Sequence, residues 1–224
     1  MAELADRKVR QVAPRRWLAV EFAAFYLVAP VAGAVLLPAN AMFGMLFAMT
    51  VLGLVLLNRT PGFHWRDIAR GWGRVDWHRV AVVGAVTAVG GYGVVLVSAP
   101  DSAFALLREH PGFMLAILVL YPVLSALPQE IVFRVLFFRR YGEILPRGPA
   151  AIGLNAAVFA LAHLMYWNWI VGVMTFVGGI AFAEAYLRRR SFATAVAAHA
   201  VAGDLVFLIG LGIYFYSGYV VRPF

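Results

Sequence analysis

Seven apolar runs, separated by short polar links, constrain this chain more than any other feature. They are Trp17 to Leu37, Ala41 to Leu57, Val80 to Ser98, Gly112 to Phe138, Pro149 to Tyr166, residues 170–187 and Phe192 to Tyr216. A helix crosses the hydrocarbon core of a bilayer with about 17 to 25 apolar residues. Inside that core each backbone N–H and C=O must be satisfied without water, which only helices and closed barrels achieve. The runs are too long for barrel strands. The expected fold is therefore all-α: a polytopic membrane helical bundle of about seven transmembrane spans. Composition agrees, with 63% of the 224 residues hydrophobic and only 13% charged, outside the range of soluble domains.

The charges then orient the spans. The net charge is +8, but the basic residues fall in clusters between apolar runs, a topology signal and not a nucleic-acid surface. Arg7, Lys8, Arg10, Arg15 and Arg16 precede the first span. Arg59, Arg66, Arg70, Arg74 and Arg79, interleaved with Trp65, Trp72 and Trp77, follow the second. Arg139, Arg140 and Arg147 follow the fourth, and Arg188 to Arg190 the sixth. The loop from Pro100 to Pro111 has no basic excess, and Trp167-Asn168-Trp169 is an uncharged aromatic link. The positive-inside rule places the amino end in the cytoplasm and the carboxyl end outside. The first run is too long and too poorly terminated for a cleaved signal peptide. The expected organisation is a basic cytoplasmic segment over 1–16, one transmembrane domain over 17–216 and a tail over 217–224. The segment from Arg59 to Arg79 suits an interfacial position along the headgroups, with His64 and His78 facing water. Glu21 is expected to reach the interface, or Arg15 and Arg16. The spans at 41–57 and 170–187 are candidates for tilting or breakage. Cysteine is absent, which removes disulfides, thiol catalysis and thiolate metal ligation.

Several polar groups nevertheless fall at membrane depth: Gln129, Glu130, Arg134, Asn155, His163, Glu184, His199 and Asp204. An ionisable side chain there costs several kcal/mol unless it is paired or wet, so it marks a functional site by default. Glu130 and Arg134 stand four residues apart and share a helix face. At about 1.5 Å per residue, Glu130, His163 and His199 lie roughly 12 to 21 Å in from the cytoplasmic ends of their helices, so three spans can bring them together. A carboxylate and an imidazole sharing a water generate a nucleophile. A second imidazole can donate to the oxyanion of a tetrahedral intermediate. Arginine fixes the carboxylate's rotamer and charge. The set supports amide hydrolysis without serine or metal, although Glu/His/His is also compatible with a divalent metal; no H-E-x-x-H occurs.

Three motifs carry a resemblance. Glu130-Ile131-Val132-Phe133-Arg134, Phe159-Ala160-Leu161-Ala162-His163 and His199 resemble the E-E-x-x-x-R, F-x-x-x-H and H-x-x-x-N (or H-x-x-x-D) patterns of the CAAX protease and bacteriocin-processing family (CPBP, or Abi). The resemblance covers residues 112–204, the site-bearing core. It implies an intramembrane glutamic endopeptidase of a bacterial cytoplasmic membrane, without a cofactor, acting on a membrane-associated peptide or protein within the bilayer. Glu130 and His163 would activate water, Arg134 would orient the carboxylate, and His199 would serve the oxyanion.

The chain departs from the pattern at two places. Gln129 stands where the family has its first glutamate, and an amide cannot accept the proton. Gly203, not Asn or Asp, stands four residues after His199; Asp204 is one residue further, about 140° around a regular helix. Gln129 is compatible with Glu130 serving as base after local rotation near Pro128, with a non-catalytic relative that binds a peptide or confers immunity, or with an engineered change that traps substrate. A transporter or proton relay through Glu130, Glu184, His163 and Asp204 is a further alternative, against which no inverted repeat is found.

Overall fold

The apolar runs form seven helices long and apolar enough to cross a membrane, and no strand occurs among the described residues. They are α1 (Arg15–Leu36), α2 (Ala39–Asn58), α3 (Trp77–Ser98), α4 (Pro111–Arg140), α5 (Pro149–Tyr166), α6 (Trp169–Leu187) and α7 (Phe192–Ile209). The structure, a computed structural model, describes residues 14–69, 71–189 and 191–224, excluding the side chains of 188 and 189. Arg7, Lys8, Arg10, Arg70 and the Arg188 to Arg190 side chains, which contribute to the expected charge pattern, lie outside this set. Large apolar side chains are exposed around the perimeter, among them Val97, Val89 and Val51. Such a surface is solvated by lipid and would aggregate in water. The protein is an integral membrane protein.

Helix α7 is the axis of the bundle. Its central window is 61% buried, against 22–39% for the other spans. It packs along α3 and α6 and against the 122–126 part of α4, while α5 lies along α6. Small residues make the α5–α6 crossing close: a Cβ at Gly179 would lie 2.9 Å from the Ala156 Cα. Close backbone approach of this kind supplies packing energy where lipid gives helices no hydrophobic reason to associate.

One expectation about a boundary needs correction. The seventh span ends at Ile209 and not at Tyr216, because Gly210 takes φ 110° and terminates the helix in the left-handed region, where glycine carries no steric penalty. The segment between α2 and α3 is irregular. It consists of short helical turns at Trp65–Ala69 and Trp72–Arg74 around Gly71. Asp76 then caps α3 by accepting from the Arg79 amide at 3.1 Å, as Ser191 caps α7 through the Thr194 amide. Both spans flagged as candidates for breakage, α2 from Met42 and α6, run as continuous α-helix.

Glu21 is held by neither Arg15 nor Arg16. The Arg140 guanidinium grips it through Nε and Nη2, and the Tyr141 hydroxyl donates to it at 2.7 Å. Arg15 donates instead to the Glu143 carbonyl at 2.8 Å. Burial, reinforced by the bond to Glu21, pushes the Tyr141 hydroxyl well above its ordinary pKa, so it remains a donor. This cluster ties α1 to the end of α4.

Helix α4 departs from regular geometry twice. It widens into π turns at Pro122–Ala126 and Ile131–Leu136, on either side of Leu127–Glu130. Proline at 122 and 128 removes two helical N–H donors and crowds the preceding turn, and π turns frequently mark functional sites. Widening loosens the i→i−4 ladder, and buried side chains use its carbonyls. Tyr26 donates to the Val132 carbonyl at 2.7 Å, and Asn155 donates to the Phe133 carbonyl. Tyr26 and Asn155 are fully buried. The second π turn is thereby clamped between α1 and α5 directly after Glu130.

Candidate active site

Glu130 lies at the junction between the short α segment and the second π turn, completely buried. Its two oxygens have different partners. Oε1 accepts from His199 Nδ1 at 2.8 Å, across to α7. Oε2 faces Arg134 Nε at 3.2 Å on the same helix, with both side chains fully buried. Neither Oε2 nor Nε is aligned as a hydrogen bond, so this second contact is an ion pair without directional bonding. Arg134 compensates elsewhere. Its guanidinium carbon lies 4.8 Å from the Phe159 ring centroid and 5.7 Å from that of Phe182, within cation–π range.

The pairing also determines the His199 tautomer. An ionised carboxylate only accepts, so Nδ1 carries the hydrogen, and in the neutral ring Nε2 is left as a lone pair. Nε2 lies 3.2 Å from the Tyr121 hydroxyl, which is then the donor. The ring is fixed from a third side by Phe182, stacked on it at 4.6 Å and 12°. Carboxylate, imidazole and phenol thus form one chain across α4 and α7.

His163 stands at the end of the regular part of α5, where the helix gives way to a tighter turn over Leu164–Tyr166. Its Nδ1 bonds the Phe159 carbonyl at 2.8 Å. A carbonyl only accepts, so Nδ1 carries the hydrogen here too, and Nε2 is available as a base. Tyr166 stacks on this ring at 15°. Phe159 packs against both imidazoles, its centroid 4.7 Å from His163 and 5.6 Å from His199. The phenylalanine of the second motif is thus a neighbour shared by the two histidines.

Gln129 is buried, and its amide donates to Ser125 Oγ at 2.8 Å. Its Oε1 has no partner within the protein. Ser125 in turn lies near the Tyr121 hydroxyl. Of the remaining polar candidates, Glu184 pairs with Arg79 at 3.6 Å, away from Glu130. Asp204 is half-buried on a helix that stays regular through Gly203, so no local distortion turns it toward the His199 face. Among the described residues no three His, Asp or Glu side chains are grouped for metal ligation.

Glu130, Arg134 and His199 are therefore in direct contact, His163 shares the Phe159 ring with His199, and Gln129 is adjacent in sequence but bonded elsewhere. Sequence reasoning overlooked Tyr121 and Ser125. The steps of four from Tyr121 to Ser125 and from Ser125 to Gln129 were the available signal, but a tyrosine and a serine in an apolar run carry no charge to draw attention.

A carboxylate–imidazole pair and a second imidazole inside a membrane bundle define an embedded acid–base site. The particular family comes from comparison: residues 111–203 match the family described as Type II CAAX prenyl endopeptidase Rce1-like. The resemblance read from the three motifs is borne out over that segment, which is similar to this protease family. No curated protein and no solved structure matches the chain.

Proposed function

We propose that the protein is an intramembrane endopeptidase that hydrolyses a peptide bond in a membrane-associated peptide or protein. The observation that carries this reading is the buried Glu130–His199 pair at 2.8 Å, with the His163 ring packed on the same Phe159 ring that touches His199. His163 takes the proton from water, which frees hydroxide to attack the carbonyl carbon, and later returns it to the leaving amine. Gln129 Oε1, an unsatisfied buried acceptor, orients that water without taking its proton. Glu130 and Arg134 hold the His199 ring in one tautomer and one orientation beside the developing oxyanion. Glu130 thus positions an imidazole, and His163 acts as base alone.

A second reading has one observation in its favour. Gln129 stands at the family's glutamate position with its amide bonded to Ser125, an arrangement suited to a non-catalytic member that binds a peptide. The two readings separate in proteoliposomes supplied with internally quenched peptides, including a prenylated peptide ending in a CAAX sequence. The peptidase reading expects cleavage by the wild type, a loss of about 10²–10⁴-fold in His163→Ala, and a gain in Gln129→Glu. Absence of cleavage by both wild type and Gln129→Glu removes it in favour of the binding reading.

A further inference from the structure

The position four residues after His199 is a glycine, and the space its side chain would occupy is filled. A Cβ built on Gly203 would collide with the edge of the Tyr121 ring and with its hydroxyl. Tyr121 comes from α4, crosses to α7, and lies along the 199–203–207 stripe of that helix. Its centroid is 5.8 Å from Phe207 and 6.1 Å from His199. The hydroxyl ends 3.2 Å from His199 Nε2. Any side chain larger than hydrogen at 203 would exclude the phenol from this place.

We propose that Tyr121 is a catalytic residue, the oxyanion donor that position 203 does not supply, and that Gly203 is glycine because the phenol needs its space. The inference rests on the peptidase reading above. Its chemical reason is the hydrogen count at His199. With Nδ1–H given to Glu130, the neutral ring has no N–H left for a substrate oxygen, so the hydrogen at this end of the chain belongs to the phenol. As hydroxide bonds to the carbonyl carbon, the carbonyl π electrons move onto oxygen. The Tyr121 O–H turns from His199 Nε2 to that oxygen, donating a hydrogen bond and keeping its proton. Collapse then expels the amine, which takes the proton held by His163. Ser125, beside the phenol oxygen, and Phe207, against its ring, hold the hydroxyl in place. The Gln129–Ser125–Tyr121 series thus links the water side of the site to the oxyanion side.

The test uses the same proteoliposome assay with the quenched prenylated CAAX peptide, in wild type and in the Gln129→Glu background. Tyr121→Phe keeps the ring against Gly203 and Phe207 and removes only the hydroxyl. It is expected to lower kcat by about 10²–10³-fold with KM little changed, the usual consequence of losing one oxyanion donor. Tyr121→Leu should lose as much, and Tyr121→Leu/Gly203→Asn, which supplies a donor from α7 in the vacated space, should recover at least tenfold of it. Unchanged kcat in Tyr121→Phe, a loss confined to KM, or a double variant no better than Tyr121→Leu overturns the inference and leaves the peptidase reading standing. No cleavage by wild type or by Gln129→Glu overturns both.

Discussion

Replacing Arg134 by Met tests the energetics on which the site depends. The guanidinium and the Glu130 carboxylate are both fully buried, with Nε and Oε2 3.2 Å apart. Methionine keeps most of the aliphatic volume but leaves a buried carboxylate with one of its two partners gone. Breaking a buried pair in this way costs about 3–5 kcal/mol. Glu130 retains the His199 contact at 2.8 Å, and the lost ion pair was not an aligned hydrogen bond, which places the electrostatic loss near the lower limit. Loss of the cation from the Phe159 and Phe182 faces adds on the order of 1 kcal/mol. The expected destabilisation is about 3–4 kcal/mol. Glu130→Gln/Arg134→Met carries no buried charge at this point, so it should recover at least about 1.5 kcal/mol relative to the sum of the single variants. Reversible unfolding in mixed micelles, followed by tryptophan fluorescence as sodium dodecyl sulfate is titrated, measures all four corners of the cycle. A loss below about 1 kcal/mol in Arg134→Met, or strict additivity in the double variant, would refute the argument that a desolvated ion pair is maintained here.

Two further predictions concern the packing around the site. Gly179→Ala places a Cβ 2.9 Å from the Ala156 backbone and 3.3 Å from Phe159, so it should cost about 1–3 kcal/mol in the same unfolding assay. It should also lower peptidase activity by moving the ring that the two histidines share, and an unchanged midpoint counts against so tight a crossing. Arg140→Met removes the clamp on Glu21 that joins α1 to the end of α4; with Glu21 about a third exposed, the expected loss is only about 1–2 kcal/mol. A midpoint equal to wild type would show that the clamp contributes nothing.

The amount legible without coordinates follows from how each signal is generated. Hydrocarbon thickness imposes a length on each apolar run, so span boundaries such as Pro149 to Tyr166 coincide with the helix that forms. The expense of desolvating charge makes Glu130, Arg134, His163 and His199 conspicuous in the sequence, and their spacing carries the family resemblance. Partner choice is not legible in that way. Glu130 has one oxygen on His199 and the other on Arg134, where spacing alone equally allowed a water shared with His163. Glu21 bonds a residue more than a hundred positions away and not the arginines of its own first turn.

By itself, then, the sequence determined an all-helical membrane bundle, the residues too costly to bury without purpose, and the two places where its motifs depart from the family pattern. These follow from local physics: bilayer thickness, helical periodicity and the desolvation of charge. Only the tertiary structure decided what fills the second departure. Tyr121 is an unremarkable aromatic in an apolar run until α4 packs against α7 and delivers its hydroxyl to His199 over Gly203. The space beside Gly203 is filled from another helix, and side-chain position across a packed interface depends on distances that no sequence spacing contains.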